Sequence, residues 1–162
     1  MTTNDLTTYA RDLLDANAYM TLGTADAAGR PWVSPVYMAA EGLRHFYWMS
    51  ATDARHSQNL VERPSMSLVA FDSTVPPYHG RAVYAVGEAR AVRGDGLDHA
   101  LTVYPGPASR GASQLTREDV TGSSPYRLYL AAASQVWVLC PREPRMPCAL
   151  HGLAKDHRTR VA

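Results

Sequence analysis

A polar turn between an aromatic segment and a predicted helix carries the residues best suited to chemistry. Ser50 and Thr52 supply hydroxyl groups, and Arg55, His56 and Ser57 follow at the start of the helix. Unpaired backbone N–H groups at a helix start, together with a cationic side chain, favour binding of a phosphate or another anion. The pattern therefore predicts an anion site. The alternative is an ordinary strand-to-helix junction with a solvated arginine and histidine.

Two cysteines and two histidines lie close together later in the chain. Cys140, Cys148, His151 and His157 form the pattern C-x7-C-x2-H-x5-H. Two thiolates and two imidazoles are a typical zinc ligand set, but paired cysteines of zinc sites are usually separated by only about two to four residues. We therefore interpret residues 141–162 as an irregular tail without a metal, and a zinc site or a Cys140–Cys148 disulfide are the alternatives.

The composition indicates one globular domain, which we place at residues 1–140. The chain has 162 residues, of which 46% are hydrophobic and 19% charged. A formal net charge of +1 gives no general attraction to nucleic acid or to an anionic membrane, so we expect neither as a partner. The acidic residues Asp5, Asp12 and Asp15 do not fit a secretory signal, and no apolar run is long enough to cross a bilayer. We expect a cytoplasmic protein.

Hydrophobic periodicity and turn residues predict the elements that position these side chains. Helices are predicted over residues 4–17, 52–63 and 94–104, and a further short one from Thr116. Strands are predicted over residues 19–24, 31–40, 43–49, 66–72, 81–93, 127–132 and 135–139. Five to seven strands in short hairpins, with a few small helices, indicate an antiparallel barrel of the mainly β (α+β) class.

Several short motifs follow one another in an informative order. They are Leu22-Gly23-Thr24, Gly29-Arg30-Pro31, Val33-Ser34-Pro35-Val36, the junction from Ser50 to Leu60, Arg63-Pro64 and Ser67-Leu68-Val69. Over about residues 5–140 this order resembles the pyridoxamine 5′-phosphate oxidase-like family of flavin-binding split barrels. The resemblance implies a six-stranded split barrel that forms a homodimer, with two flavin sites at the subunit interface.

The resemblance also implies a cofactor and the residues that bind it. FMN is the expected cofactor, the deazaflavin F420 is the alternative, and haem ranks behind both. In the family an Arg-Lys pair grips the flavin phosphate, and Arg55 and His56 stand at these positions. Residues 33–36 would lie along the edge of the flavin ring, and Trp137 resembles a tryptophan that the partner subunit inserts in some relatives. The expected cofactor-binding residues are Val33, Ser34, Pro35, Val36, Trp48, Ser50, Thr52, Arg55, His56, Ser57 and Trp137.

The implied reaction is hydride transfer between the flavin and a small organic substrate, and no side chain is nominated as a catalytic acid or base. Ser34 and Ala39 replace two cations that the true oxidases carry on the second strand, and Ala82 replaces a glutamine on a later strand. We therefore do not expect oxidation of pyridoxamine 5′-phosphate itself. The alternatives are a non-catalytic flavin or haem carrier with the same fold, and a dimeric interaction module whose site has decayed.

Overall fold

The structure is a computed structural model that describes residues 3–162, so residues 1 and 2 of the expected domain lie outside it. The helices are α1 (Thr3–Ala16), α2 (Arg55–Glu62) and α3 (Gly96–Val103). The strands are β1 (Tyr19–Ala25), β2 (Pro31–Tyr37), β3 (Ala39–Glu41), β4 (His45–Ala51), β5 (Ser65–Phe71), β6 (Ala82–Ala91), β7 (Tyr126–Leu139) and β8 (Arg158–Arg160). Two short turns of 3₁₀ helix, Ala108–Arg110 and Glu118–Val120, lie between α3 and β7.

All strands of the described residues join one antiparallel sheet that curls on itself. The order is β2-β1-β5-β6-β7-β4-β3, and β8 pairs with the end of β7 beyond the part that pairs with β4. Only Met38 separates β2 from β3, although these strands form opposite edges of the sheet. The sheet therefore has to curl until its two edges approach each other, which gives a half-barrel. The predicted mainly β class with a few short helices is confirmed.

The interior of the half-barrel forms the main core, because side chains alternate along each strand. In β1, Met20 and Leu22 are buried and Tyr19 is exposed. Helix α1 contributes Leu6 and Leu14, both fully buried, and packs against β5 and β6. Burial of a leucine side chain contributes about 1.5–3 kcal/mol, so α1 is held to the sheet by packing.

The secondary structure differs from the prediction in two strands. The strand predicted over residues 31–40 is interrupted at Met38, because β2 pairs with β1 whereas β3 pairs with β4. The two strands predicted over residues 127–132 and 135–139 form the single 14-residue strand β7, in which Ser134 and Gln135 are exposed. Among the described residues, six strands have at least seven residues and two have three, so the sheet has eight strands instead of the expected six.

Gly87 lies where the pairing of β6 with β7 is irregular. Val86 pairs with Gln135 but Gly87 pairs with Ala133, so one residue of β7 is left over as a bulge. A Cβ atom on Gly87 would lie 2.1 Å from the carbonyl oxygen of Ala132. The close approach of the two backbones at this bulge therefore requires glycine.

Residues 141–162 have little regular structure, but they are fastened to the sheet. Within them β8 pairs with β7, and Val161 packs against the main core. Arg142 Nη2–H donates to Asp156 Oδ1 at 2.6 Å and closes the loop between them. The expected irregular tail thus contains one short strand, which joins it to the sheet. In residues 3–162, no helix combines the length and the apolar character needed to span a membrane.

Candidate functional site

The start of α2 offers backbone N–H groups to a ligand. A turn of residues 52–54 leads from β4 into α2, and Ala54 occupies the N-cap position. Within the described chain no side chain caps this helix, although Asp53 immediately precedes the N-cap. The first N–H groups of α2 therefore lack the usual side-chain acceptor, and an anion can replace it.

His56 connects α2 to β2 and β4 through two serine hydroxyls. Its Nδ1 lies 3.0 Å from Ser34 Oγ and its Nε2 lies 2.7 Å from Ser50 Oγ. Trp32 Nε1–H donates to Ser34 Oγ at 3.1 Å. A neutral imidazole donates from one ring nitrogen and accepts at the other, and a serine hydroxyl can do both, so the two serines fit either tautomer of His56. A network of hydrogen bonds therefore joins Trp32, Ser34, His56 and Ser50.

The environment of His56 corrects its expected role. Its half-buried position lowers its pKa below the ordinary value of 6.5, because desolvation disfavours the charged ring. The imidazole is therefore neutral at pH 7, and both of its ring nitrogens are engaged by serines. His56 cannot supply the positive charge of the lysine whose position it occupies. It orients Ser50 instead.

Arg55 supplies the full positive charge beside this network of hydrogen bonds. Its guanidinium carbon lies 4.6 Å from the centre of the Trp32 ring, and both side chains are exposed. A guanidinium that stacks on an aromatic face keeps its in-plane N–H groups open, and these match a phosphate in a bidentate contact. The ring thus holds Arg55 without using its donors. We call Ser34, Ser50, Arg55, His56 and the first N–H groups of α2 the α2 site.

The open edge of β2 lies next to Ser34. Met38 N–H donates to Ala18 O at 2.9 Å, and hydrogen-bonded pairs alternate along an antiparallel ladder. The even-numbered residues of β2 therefore bond to β1, whereas the backbone groups of Val33 and Pro35 face the open edge. Proline lacks an N–H group and is tolerated at such an edge position. Val33 N–H is available there to a ligand, while the side chain of Val36 is buried in the core.

A second group of polar residues lies on another side of α2. Thr52, Ser57, Arg90, Arg93 and Arg127 line a cleft of about 550 Å³, which we call the arginine cleft. Ser57 is fully buried, and its Oγ has no hydrogen-bond partner among the described residues. The guanidinium of Arg127 is held by carbonyl oxygens of its own loop, so Arg90 and Arg93 are the exposed cations of the cleft. Thr52 and Ser57 are thus separated from Ser50 and His56.

Arg90 and Arg93 are not among the residues expected from the sequence. They lie in and just after β6, far from α2 in sequence, and no local pattern indicates that they approach it. Trp32 was also missing from the expected site. Its spacing of two residues from Ser34 on a strand places both side chains on one face, which is a signal that could have found it.

The two tryptophans of the expected site lie elsewhere. Trp48 is fully buried in the main core and stacks on Tyr129 with 5.5 Å between ring centres. This corrects its expected place beside the cofactor, because a core side chain is not open to a ligand. Trp137 and Val33 line a groove of about 340 Å³ on the outer face of the sheet. We call this the outer groove; Gly23 and Ser67 lie between its two ends.

The structure also brings together Cys140, Cys148, His151 and His157. Their ligand atoms all lie within 4.8 Å of one another, and both cysteines are free thiols. The sequence contained this ligand set, but the wide spacing of the two cysteines argued against a common site, whereas the structure places all four ligand atoms together.

The comparisons with known proteins identify the family and the fold. A family model described as pyridoxamine 5′-phosphate oxidase matches residues 6–140. A search of curated protein sequences returns no match. Among solved structures, a haem-binding protein from Mycobacterium smegmatis is similar with a TM-score of 0.66 and 18% identity, over 94% of this chain and 57% of that chain. This chain therefore spans little more than half the length of that protein.

Two further solved structures match over most of both chains. HutZ, the haem storage protein from Vibrio cholerae, has a TM-score of 0.63 and 21% identity, over 84% of this chain and 96% of its own. The FAD-binding protein from Mycobacterium smegmatis has a TM-score of 0.57 and 20% identity, over 80% of this chain and 90% of its own. At these identities the similarity shows a common fold.

Proposed function

Because the chain belongs to the pyridoxamine 5′-phosphate oxidase family, we propose that it binds a flavin at the α2 site and is a flavin-dependent oxidoreductase. FMN is the first candidate cofactor and F420 the second. The fold and the FAD-binding structural relative support a flavin. The α2 site supplies what a phosphate group requires, namely a cation and N–H groups that no side chain caps.

One observation carries this proposal. The hydrogen-bond network through Ser34, His56 and Ser50 joins β2 and β4 to the uncapped start of α2. A fixed network of this kind holds the first N–H groups of α2 in place before a ligand arrives, so little entropy is lost on binding. Arg55 contributes the charge, and its stacking on Trp32 limits its motion.

A bound flavin would supply hydride transfer between its ring and a small organic substrate. The chain's own contribution is binding and orientation. Ser50 and Arg55 would hold the phosphate, and Val33 N–H at the open edge of β2 would donate to an acceptor atom of the ring. These two contacts lie at separate points, so together they would fix the direction of the ring relative to β2.

Two residues argue against pyridoxamine 5′-phosphate as the substrate. Ser34 is engaged by Trp32 and His56, and Ala39 is buried with 2% of its surface exposed. Neither provides the cation that the true oxidases have at that position. We therefore expect no turnover of pyridoxamine 5′-phosphate, and the arginine cleft does not compensate because it lies on another side of α2.

The visible absorption spectrum of the purified protein tests the proposal. Bands of an oxidised flavin, or binding of added FMN, would support it. A colourless protein that binds added F420 would support the deazaflavin form. A protein that binds neither FMN nor F420 would refute the proposal. Reduction of the bound flavin by NAD(P)H, followed by turnover with an organic acceptor, would distinguish an enzyme from a carrier.

A non-catalytic haem-binding or haem-storage protein is the second candidate function. Two structural relatives, described as haem-binding and haem storage proteins, favour it. Haem iron requires an axial ligand, and the ring nitrogens of His56 are both engaged by serines. A Soret band after addition of haem that persists in a His56→Gln variant would identify haem binding through another residue.

We also propose that two copies associate through the outer face of the sheet. Val33, Phe71 and Val86 are exposed apolar residues on this face, beside Trp137 in the outer groove. Several exposed apolar side chains on one face of a sheet are typical of interaction surfaces. Light scattering should give about 35 kDa, twice the 17.7 kDa of one chain, and Val86→Glu should lower it towards one chain. A monomeric wild-type protein would contradict this proposal.

A further inference from the structure

The Cys-His cluster, formed by Cys140, Cys148, His151 and His157, has the spacing of a metal centre. The two sulfur atoms lie 3.1 Å apart. His151 Nδ1 lies 3.5 Å from Cys140 Sγ and 3.7 Å from Cys148 Sγ. His157 Nε2 lies 3.1 Å from His151 Nδ1. Four potential ligand atoms therefore surround one point.

Two of these four distances match the edges of a tetrahedron around zinc, and the other two are shorter. Zinc–sulfur bonds of about 2.3 Å and zinc–nitrogen bonds of about 2.05 Å give edges of about 3.8 Å between sulfurs, 3.6 Å between sulfur and nitrogen, and 3.4 Å between nitrogens. The two sulfur–nitrogen distances of 3.5 and 3.7 Å match to about 0.1 Å. The sulfur–sulfur and nitrogen–nitrogen distances, each 3.1 Å, are shorter than the ideal edges, so an ion would require these atoms to separate by less than an ångström.

The fold brings the four residues together from three segments. Cys140 follows the last residue of β7, and His157 precedes the first residue of β8. Cys140 N–H donates to the carbonyl oxygen of His157 at 2.9 Å, because the pairing of the two strands continues to this point. Cys148 and His151 lie in one tight turn, in which Gly152 N–H donates to Cys148 O at 2.7 Å and Gly152 has a φ of 66°.

Burial gives the cluster an inner and an outer side. Cys140 and Cys148 are buried, with 3% and 2% of their surface exposed, whereas His151 is exposed and His157 is partly exposed. The two thiols thus form the buried inner side of the cluster, and an ion can enter from the exposed side, where the histidines lie.

The ligand set identifies the ion and its role. Two thiolates and two imidazoles suit zinc, whereas magnesium and calcium prefer oxygen ligands. Four protein ligands complete a tetrahedron and leave no position for water or substrate, which is typical of a structural site. A disulfide is the competing state, but its sulfur–sulfur bond of about 2.05 Å would be an ångström shorter than the distance between these free thiols.

We propose that Cys140, Cys148, His151 and His157 bind one Zn²⁺ ion, which fastens residues 141–162 to the end of β7. The ion would link the turn around His151 to the β7–β8 pair, and it would thereby hold Val161 against the main core. This site is separate from the α2 site, and it is expected whether or not the protein binds a flavin.

Metal analysis of the full-length chain tests the proposal. Protein purified without chelators should contain about one zinc per chain. Cys148→Ser and His157→Ala should each lower the zinc content at least tenfold, and His99→Ala, a histidine on α3 outside the cluster, should leave it unchanged. Chelator treatment should lower the melting temperature of the wild type and of His99→Ala, and it should not change that of His157→Ala.

Two measurements on the wild type keep the test decisive if Cys148→Ser does not fold. The sequence has only two cysteines, so a thiol assay on denatured, zinc-free protein should find two thiols per chain. A cobalt-substituted protein should show the visible bands of tetrahedral, thiolate-bound Co²⁺. A finding of no free thiols would indicate a disulfide and overturn the proposal. Two free thiols in a zinc-free protein that takes up no added Zn²⁺ would also overturn it.

Discussion

Replacement of Arg55 by alanine should weaken binding of a phosphorylated flavin and leave binding of the unphosphorylated one unchanged. Arg55 is the exposed cation next to Ser50 and the uncapped start of α2, and its guanidinium already stacks on Trp32. If the phosphate of FMN is bound at this point, the variant loses a charged contact with it. Riboflavin lacks the phosphate and serves as the matched control ligand.

The size of the effect follows from the contacts. A hydrogen bond to a charged group contributes about 1.5–3 kcal/mol, so Arg55→Ala should raise the Kd of FMN about 13- to 160-fold. Trp32 acts on Arg55 by stacking, which contributes about 0.5–1 kcal/mol at an exposed position, so Trp32→Ala should raise the Kd about two- to fivefold. Trp32→Phe keeps an aromatic face for Arg55 but loses the N–H that donates to Ser34, so a smaller effect than that of Trp32→Ala would assign the difference to stacking.

Quenching of flavin fluorescence during titration measures each Kd, and the double variant tests the mechanism. If Trp32 acts only through Arg55, Trp32→Ala should add nothing to the effect of Arg55→Ala. Arg11→Ala replaces an exposed arginine on α1 and should leave the Kd of FMN unchanged. An unchanged Kd for FMN in Arg55→Ala would show that the phosphate binds elsewhere. An equal loss of riboflavin binding would show that Arg55 acts on the ring instead.

For three further variants we predict a change in the free energy of unfolding, which chemical denaturation measures. His56 takes up a proton near pH 6.5 in the unfolded chain, but its pKa is lowered in the folded protein. The free energy of unfolding should therefore decrease as the pH falls below about 6.5, by up to about 1.4 kcal/mol per pH unit. In His56→Gln this contribution to the pH dependence should be absent. Gly87→Ala should destabilise the fold by about 3 kcal/mol, because its Cβ would lie 2.1 Å from Ala132 O. Asn59→Ala should cost about 1–3 kcal/mol, because the buried Asn59 Nδ2–H donates to Thr24 Oγ1 at 3.0 Å.

Matched positions serve as controls for these variants. A Cβ on Gly96 would make only an ordinary contact at 3.6 Å, so Gly96→Ala should change stability little. Gln58 is exposed beside Asn59, and Gln58→Ala should likewise have a small effect. A Gly87→Ala variant as stable as Gly96→Ala would contradict the described bulge. For His56→Gln, a pH profile of stability identical to that of the wild type would show that His56 does not have a lowered pKa.

Much of the fold could be predicted because its signals are local. Alternation of buried and exposed residues along β1 and the helical spacing of Leu6, Ala10 and Leu14 in α1 follow directly from the sequence. The incorrect strand boundaries occurred where pairing with a residue distant in sequence determines the local structure. Ser134 and Gln135 resemble a turn, but the pairing of β7 with β6 continues past them through a bulge, and both side chains are exposed to solvent.

The candidate site was predicted in part for the same reason. Ser50, Arg55 and His56 follow one another within seven residues, so the strand-to-helix junction was evident from the sequence. The lowered pKa of His56 depends on its burial in the fold, and its contact with Ser34 depends on another strand; no spacing in the sequence reveals either. The clustering of cysteines and histidines depends on β8, which is only three residues long.

The pairing of β4 with β7 imposes an order on folding. Residues 45–51 pair with residues 126–132, so β4 emerges from the ribosome long before its partner is synthesised. The hairpin of β3 and β4 can form early, but its apolar side chains Phe46 and Trp48 lack the cover that β7 provides. Closing so long a loop slows folding, and an uncovered apolar hairpin promotes aggregation. In pulsed hydrogen exchange during refolding, the amides of β4 that bond to β7 should be protected later than those of the β1–β2 hairpin, and nascent chains that end before residue 126 should be those that chaperones retain.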